Sequence, residues 1–327
     1  MKYRTVGKTG IQVSGLCFGT MSFGGNADEE TSKAMFKRCR EAGINFFDTA
    51  NVYSGGRSEE ILGECIADCR NEIVLATKVF YPMGEDVNAR GLSRRHIMLE
   101  VEKSLRRLKT DRIDFYFVHM FDEKTPMEET LRALDDLQDQ GKILYPAVSN
   151  WAAWQIAKAL GISAREQLAR FELIQPMYNL AKRQAEIEIL PLAASEQIGV
   201  ISYSPLGAGL LTGKYGVNKR PEQGRLVEEK RYTDRYADEM NFIVADRFNA
   251  YAAEQGMNPS TLAVAWVMSK PAITAPIIGA RDVEQLEFSL AAIDVDMTPE
   301  WRDEISSLSV TPPPATDRGE TQLPMWT

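Results

Sequence analysis

Two hydrophobic rhythms alternate along the chain. Short runs at residues 16–20, 44–47, 73–77, 113–119, 144–148, 173–176, 200–202 and 274–278 are rich in β-branched and aromatic residues and apolar on both faces. That pattern predicts parallel strands covered by helices. Between and after them, helical spacing predicts helices at 29–42, 58–69, 94–108, 126–141, 151–160, 185–196, 239–255 and 283–292. Eight strands, each followed by a helix, predict a (β/α)8 TIM barrel of the α/β class rather than a doubly wound sheet. Ahead of the first strand, residues 2–6 and 11–14 flank Gly7-Lys8-Thr9-Gly10 and predict a β-hairpin. Residues 203–238, after strand seven, form a connection of roughly 35 residues without a periodic pattern, predicted to be a structureless functional lid. A further helix is predicted at 298–308. The chain closes on TPPPATDRGETQLPMWT, an extended tail over 309–327 that is either disordered or laid over a barrel face by Leu323, Pro324, Met325 and Trp326. Residues 1–327 read as one barrel domain.

Composition narrows the function. The 327 residues are 44% hydrophobic and 26% charged, enough for a large core. A net charge of −8 argues against nucleic acid or an anionic membrane as the main partner. No apolar run approaches the ~20 residues of a membrane span, and Met1-Lys2-Tyr3-Arg4 leads into no signal-peptide core, so a cytoplasmic protein is expected. Four cysteines, Cys17, Cys39, Cys65 and Cys69, do not make a disulfide scaffold. Cys65 and Cys69 lie a helical turn apart, half a metal site at most, with no second pair beside them. The G-x-G-x-x-G fingerprint of a Rossmann unit is missing near the start.

Barrels of this kind carry their chemistry at the C-terminal strand ends. Strand two ends at Asp48, with Tyr53 on the following loop. Strand three ends at Lys78 and strand four at His119. Each residue has an ordinary reading, as a strand-end acid, a solvent-reaching lysine, a core histidine or a packing phenol. Together they bring an acid, a cation, an imidazole and a phenol to one mouth. Such a set can deliver a proton to a carbonyl oxygen: lysine lowers the phenol pKa, the carboxylate fixes the lysine, and a neutral imidazole donates to the same oxygen. It has no electron source of its own, so a reduction would need a hydride-carrying cofactor.

The stretches DTANVYSGGRSEEILG, LATK, FVHM, VSNW and SYSPLGAGLLTGKY occur in an order that resembles the aldo-keto reductase family, including its channel β-subunit-like members. The resemblance implies a reductase with Tyr53 as general acid, Asp48 and Lys78 tuning it, and His119 orienting the carbonyl. It implies an NADPH cofactor meeting Gly19, Thr20 and Met21 at its nicotinamide end, near Asp48. Ser149, Asn150 and Gln175 would hold the carboxamide and Tyr203 would stack on the ring. Ser204, Pro205, Leu206, Gly209, Leu211 and Lys214 would wrap the pyrophosphate. Ile278, Gly279, Arg281 and Gln285 would take the adenosine end, with Arg281 forking onto a 2′-phosphate. Phe288 and Ser289 stand where many relatives carry Glu and Asn, which leaves NADH open.

Beside the four, Met21, Phe23, Val52, Phe80, Tyr81, Met120 and Trp151 are candidates for an apolar substrate pocket. Tyr232, Tyr236 and Trp326 could close it, and Arg90, Arg94 and Arg95 could receive an anionic substrate or simply be a solvated helix start. The expected partner is a small carbonyl compound. An NAD-linked alcohol or sugar dehydrogenase, a cofactor-binding redox sensor and a phosphate-binding isomerase remain as rivals, and the sequence does not set the oligomeric state.

Overall fold

The computed structural model describes residues 1–316, so Trp326 and the rest of the tail from 317 lie outside the described residues. An antiparallel hairpin, β1 (Tyr3–Thr5) and β2 (Gln12–Ser14), precedes eight parallel strands. These are β3 (Cys17–Gly19), β4 (Phe46–Asp48), β5 (Val74–Val79), β6 (Ile113–Val118), β7 (Ile143–Ser149), β8 (Leu173–Gln175), β9 (Gly199–Ser202) and β10 (Ala275–Ile278). They close into a barrel in chain order, β10 pairing with both β9 and β3. Around it lie α1 (Glu29–Glu41), α2 (Arg57–Ile66), α3 (Arg94–Arg107), α4 (Met127–Asp139), α5 (Ala153–Glu166) and α6 (Ile189–Glu196). After β9 come α7 (Arg225–Glu228), α8 (Lys230–Arg235), α9 (Glu239–Glu254) and α10 (Pro259–Met268), then α11 (Val283–Leu290) and α12 (Pro299–Ser307). The predicted (β/α)8 barrel and hairpin are both present.

Strand alternation splits the core in two. Cys17, Phe46, Val74, Ala76, Phe115, Phe117, Ala147, Leu173, Ile201 and Ala275 fill the barrel, and Val6 and Val13 of the hairpin segment join them from below. The hairpin sits tightly: a Cβ on Gly199, at the start of β9, would lie 2.4 Å from Val6 Cγ1. The opposite parity, including Phe18, Phe47, Leu75, Tyr116, Val118 and Val148, packs outward against the helices.

Two expectations are corrected. The lid region is not structureless. It holds a turn at Gly207–Gly209, a π-turn at Leu210–Lys214, and α7 and α8, all pinned by buried Leu210, Leu211, Tyr215, Leu226, Tyr232 and Tyr236. And α10 was not foreseen between 255 and 274. Its start is well marked: Pro259 is in the first turn and Asn258 Oδ1 accepts from the Ser260 amide at 2.8 Å. But Leu262 to Val267 are all buried, so no amphipathic stripe betrays the helix.

Candidate active site

The inward row of each strand is apolar until its C-terminal end. Phe46 leads to Asp48, Val74 and Ala76 to Lys78, Phe115 and Phe117 to His119, Ala147 to Ser149, and Leu173 to Gln175. Ser149 and Gln175 pair in register, whereas Asp48 pairs with Ala76 and Lys78 with Phe117, so the polar ends step up from β4 to β6. The barrel's dry interior thus ends in a polar ring, with Lys78 inside β5 rather than beyond it.

Lys78 Nζ donates to Asp48 Oδ2 at 2.5 Å and to the Thr49 carbonyl at 2.7 Å, and lies 3.4 Å from the Tyr53 hydroxyl. Gln175 Nε2 donates to Asp48 Oδ1 at 2.9 Å. Tyr53 reaches the group because its loop is fastened at several points. The Asn51 amide donates to the Lys78 carbonyl at 3.2 Å, and Ser54 Oγ to the Phe23 carbonyl at 2.8 Å. The turn at Tyr53–Gly56 then passes through left-handed Ser54, Gly55 and Gly56 (φ 48°, 65° and 100°).

Burial pushes the Asp48 carboxyl above its ordinary value, against the pull of Lys78 and Gln175. Burial acts to lower Lys78, but Asp48 and Tyr53 outweigh it and leave the ammonium above its ordinary value. We read the pair as ionised, since the ammonium also has the Thr49 carbonyl and the carboxylate also has Gln175. Tyr53 departs from expectation. Burial raises the phenol above its ordinary value, and Lys78, engaged with Asp48 and Thr49, only moderates the rise. His119 is held well below its ordinary value by burial and by the charge of Lys78, which keeps the ring neutral. Its Nδ1 is buried with no partner, leaving Nε2 as the nitrogen that can donate into the cleft.

A second buried cluster supports this floor, and sequence reasoning missed it. Glu59, fully buried, accepts from Thr77 Oγ1 and Arg107 Nε, both at 2.6 Å. Glu100 accepts from Asn51 Nδ2 at 3.0 Å and Lys103 Nζ at 2.8 Å. The available signal was the run Ser58-Glu59-Glu60 at the start of the predicted helix 58–69, where acids are ordinary first-turn residues. Nothing local in the sequence pairs Glu59 with Arg107.

One cleft of about 820 Å³ opens over the floor. It is lined by Asp48, Tyr53 and His119, and by the candidates Gly19, Met21, Asn150, Gln175, Tyr203, Ser204, Pro205, Leu206, Gly209, Lys214, Ile278, Gly279, Arg281 and Gln285. Thr20, Ser149 and Leu211 are outside its lining. Thr20 is buried with its amide on the Asp48 carbonyl at 2.9 Å. Ser149 lies just beneath, donating to the Gln175 carbonyl at 2.9 Å, and Leu211 is core. Asn150 is already engaged: its Nδ2 reaches the His119 carbonyl and Ser149 Oγ, both at 3.0 Å, and Oδ1 accepts from Tyr203 at 2.8 Å. Of the pocket candidates, Val52, Tyr81 and Met120 line the cleft. Phe23 and Trp151 do not; both are buried, Phe23 against Phe18 and Trp151 between Phe121 and Phe171. Phe80 packs on Tyr81 from outside the lining. Tyr232 lines the cleft, whereas Tyr236 is buried with Asn179. Arg90, Arg94 and Arg95 are absent from the lining, and Arg94 pairs with Asp136.

Backbone strain gathers here too. Ser54, Asn150, Ser204 and Ala208, non-glycine residues with φ of 48–58°, all line the cleft. Strain of this kind persists where surrounding structure over-determines it, typically at ligand sites. Cations missed at the sequence level, Arg225, Arg231 and Arg235, come from the lid and line the cleft beside Tyr232. Among the described residues no helix is long and apolar enough to cross a membrane.

The model of the aldo/keto reductase family matches residues 15–309. An Oryza sativa subsp. japonica protein named "Probable voltage-gated potassium channel subunit beta" is 36% identical over 326 residues, covering 97% of this chain and 99% of its own. An uncharacterized oxidoreductase of Bacillus subtilis is 36% identical over 315 residues, 92% of this chain and 93% of its own. The norsolorinic acid reductase of Aspergillus flavus is 34% identical over 311 residues, 90% of this chain and 78% of its own.

Proposed function

The chain belongs to the aldo/keto reductase family, and from that premise we propose that it reduces aldehydes or ketones to alcohols with NADPH. The observation that carries the reading is the phenol–imidazole pair: Tyr53 and His119 border one end of the cleft, ring centroids 6.1 Å apart, with Lys78 behind the phenol. The fit of a dinucleotide is supported by the strained Ser204 and Ala208 beside Gly209 (φ 97°), which let backbone come close to a ligand, and by Lys214, Arg225 and Arg281 lining the cleft. Three cations suit phosphates, and Arg281 beside Gln285 would take a 2′-phosphate.

When bound, the nicotinamide supplies a hydride. The chain's residues do the rest. His119, neutral, donates from Nε2 to the carbonyl oxygen, polarising it and fixing its orientation. Tyr53 gives that oxygen its proton as negative charge develops. Lys78 faces the phenolate left behind, and Asp48, held by Gln175, keeps Lys78 charged and aimed. Met21, Val52, Tyr81 and Met120 exclude water around the reacting carbon.

The channel-subunit name of the rice relative favours a second reading, a cofactor-binding regulator with little turnover. A fluorescence titration with NADPH and NADH, followed by a carbonyl panel, separates the two. Tight NADPH binding with turnover supports the reductase; binding without turnover of any aldehyde, dicarbonyl or sugar supports the regulator. Tyr53→Phe is expected to bind NADPH as the parent does and to lose at least ~10²-fold in carbonyl reduction. Undiminished turnover in that variant would remove Tyr53 from its role.

A further inference from the structure

The cleft's cations come from several elements of the lid and the loop after β10. Lys214, Arg225 and Arg281 lie along the Leu210–Lys214 turn, the start of α7 and the loop after β10, and Arg281 is 3.7 Å from Glu228. Arg235 is at the far end of α8, on the Tyr232 ring that Arg225 and Arg231 also approach, at 5.7 and 4.7 Å. The side chain is half-buried with its guanidinium carbon 5.2 Å from the Tyr232 ring, and, like Lys214 and Arg225, it has neither ion pair nor hydrogen bond among the described residues. Tyr232 in turn sets its hydroxyl 3.9 Å from Met21 Sδ.

Arg235 lines the cleft together with Tyr203, and its charge acts to lower the Tyr203 hydroxyl against the rise that burial causes. Tyr203 bonds Asn150, and Asn150 bonds the His119 carbonyl. The hydroxyl of Tyr236, one residue on, accepts from Asn179 Nδ2 at 3.1 Å, and the same nitrogen donates to the Ser204 carbonyl at 3.0 Å, which moors the end of α8 that carries Arg235 beside Tyr203. Two acids of the lid are already engaged, Glu229 with Arg231 at 3.3 Å and Asp234 with Lys230 at 3.0 Å. A half-buried cation aimed into a cleft without a counter-charge is costly unless a ligand supplies one.

We propose that Arg235 receives an oxyanion carried by the substrate, so that the preferred carbonyl compounds bear a carboxylate or phosphate away from the reacting carbon. This rests on the reductase reading for the word substrate, but the anion site itself does not. It also moves the anion receptor from Arg90, Arg94 and Arg95, where the sequence suggested one, to the lid. A planar, forked guanidinium backed by aromatic rings is suited to an oxyanion, and closing α8 over it would lower the local dielectric.

The test is titration calorimetry on the full chain, with and without NADPH, using butanoate, hexanoate and butyl phosphate against butanamide and hexanamide. In the NADPH-loaded protein the anions are expected to bind at least ~10-fold tighter than the amides. Arg235→Met should erase that preference while changing amide affinity little, and Arg235→Lys should keep part of it. Which anion binds tighter ranks carboxylate against phosphate. Equal affinity for anions and amides, a preference that survives Arg235→Met, or anion binding that NADPH competes away would each overturn the proposal. If the preference holds but no carbonyl compound, charged or neutral, is turned over, the anion site stands and the reductase reading falls; if only neutral carbonyls are turned over, the reductase reading stands and the proposed substrate class is overturned.

Discussion

The floor of the cleft and the lid above it use the same residue types to opposite effect. On the floor, Arg107 is 17% exposed and its partner Glu59 not at all, and Lys78 and Asp48 are equally enclosed. On the lid, Arg231 is 63% exposed and its partner Glu229 35%. The floor's charges are held by hydrogen bonds from barrel strands and from α2 and α3 packed against them. The lid's charges stand on short helices pinned by a few aromatic side chains. Groups that must meet within hydrogen-bond distance in the reaction belong on the first; groups that choose what enters can sit on the second.

Stability is the most direct way to break that contrast. Arg107→Met strands Glu59 as an uncompensated buried charge and should cost about 3–5 kcal/mol, read as a lowered urea midpoint. Pairing it with Glu59→Gln should recover part of the loss, because the penalty lies in the orphaned charge. Arg231→Met, the same change on the lid, should stay within about 0.5 kcal/mol. Equal midpoints for the two single variants would mean that the Glu59–Arg107 pair is not the support described above.

The sequence pointed to the residues that meet on the floor better than to the groups that support them. Asp48, Lys78 and His119 were legible because each interrupts an apolar strand at its end, where desolvation makes a chance charge unfavourable. Tyr53 was legible only as a neighbour of Asp48, since a loop phenol has many uses. Glu59–Arg107 was not legible, because each looks like an ordinary helix charge and only the packing of α2 on α3 joins them. The lid announced itself by length, but its turns and helices are held by tertiary burial of Tyr215, Tyr232 and Tyr236, which no local period records. Helix α10 failed for the reverse reason: buried all round, it had no polar face to give it a phase.

A smaller effect should distinguish the ends of the cleft. Arg281 is 36% exposed and paired only distantly with Glu228, so it is free to turn to a 2′-phosphate. Arg281→Ala should weaken NADPH by about tenfold and NADH by less than about twofold, measured by fluorescence titration. Equal losses for both nucleotides would place Arg281 on a shared phosphate instead.

The smallest expected change is a flat line. A general acid fails as pH rises through its pKa, and the Tyr53 phenol is raised above its ordinary value, so that limb lies beyond about pH 10. A neutral imidazole donor fails as pH falls through its pKa, and His119 is held well below the ordinary 6.5. Lys78 is raised and stays charged throughout, while the titration of Asp48, raised from an ordinary 3.8, belongs on the acid side. Reduction at saturating NADPH should therefore vary less than about twofold in kcat/KM between about pH 6 and 9. A step near 6.5 would mean that His119 titrates as a solvated ring, open to water beneath a lid that does not seal. A fall beginning below pH 9 would mean that Lys78 overrides burial at Tyr53, and that the floor is less dry than the lid it was contrasted with.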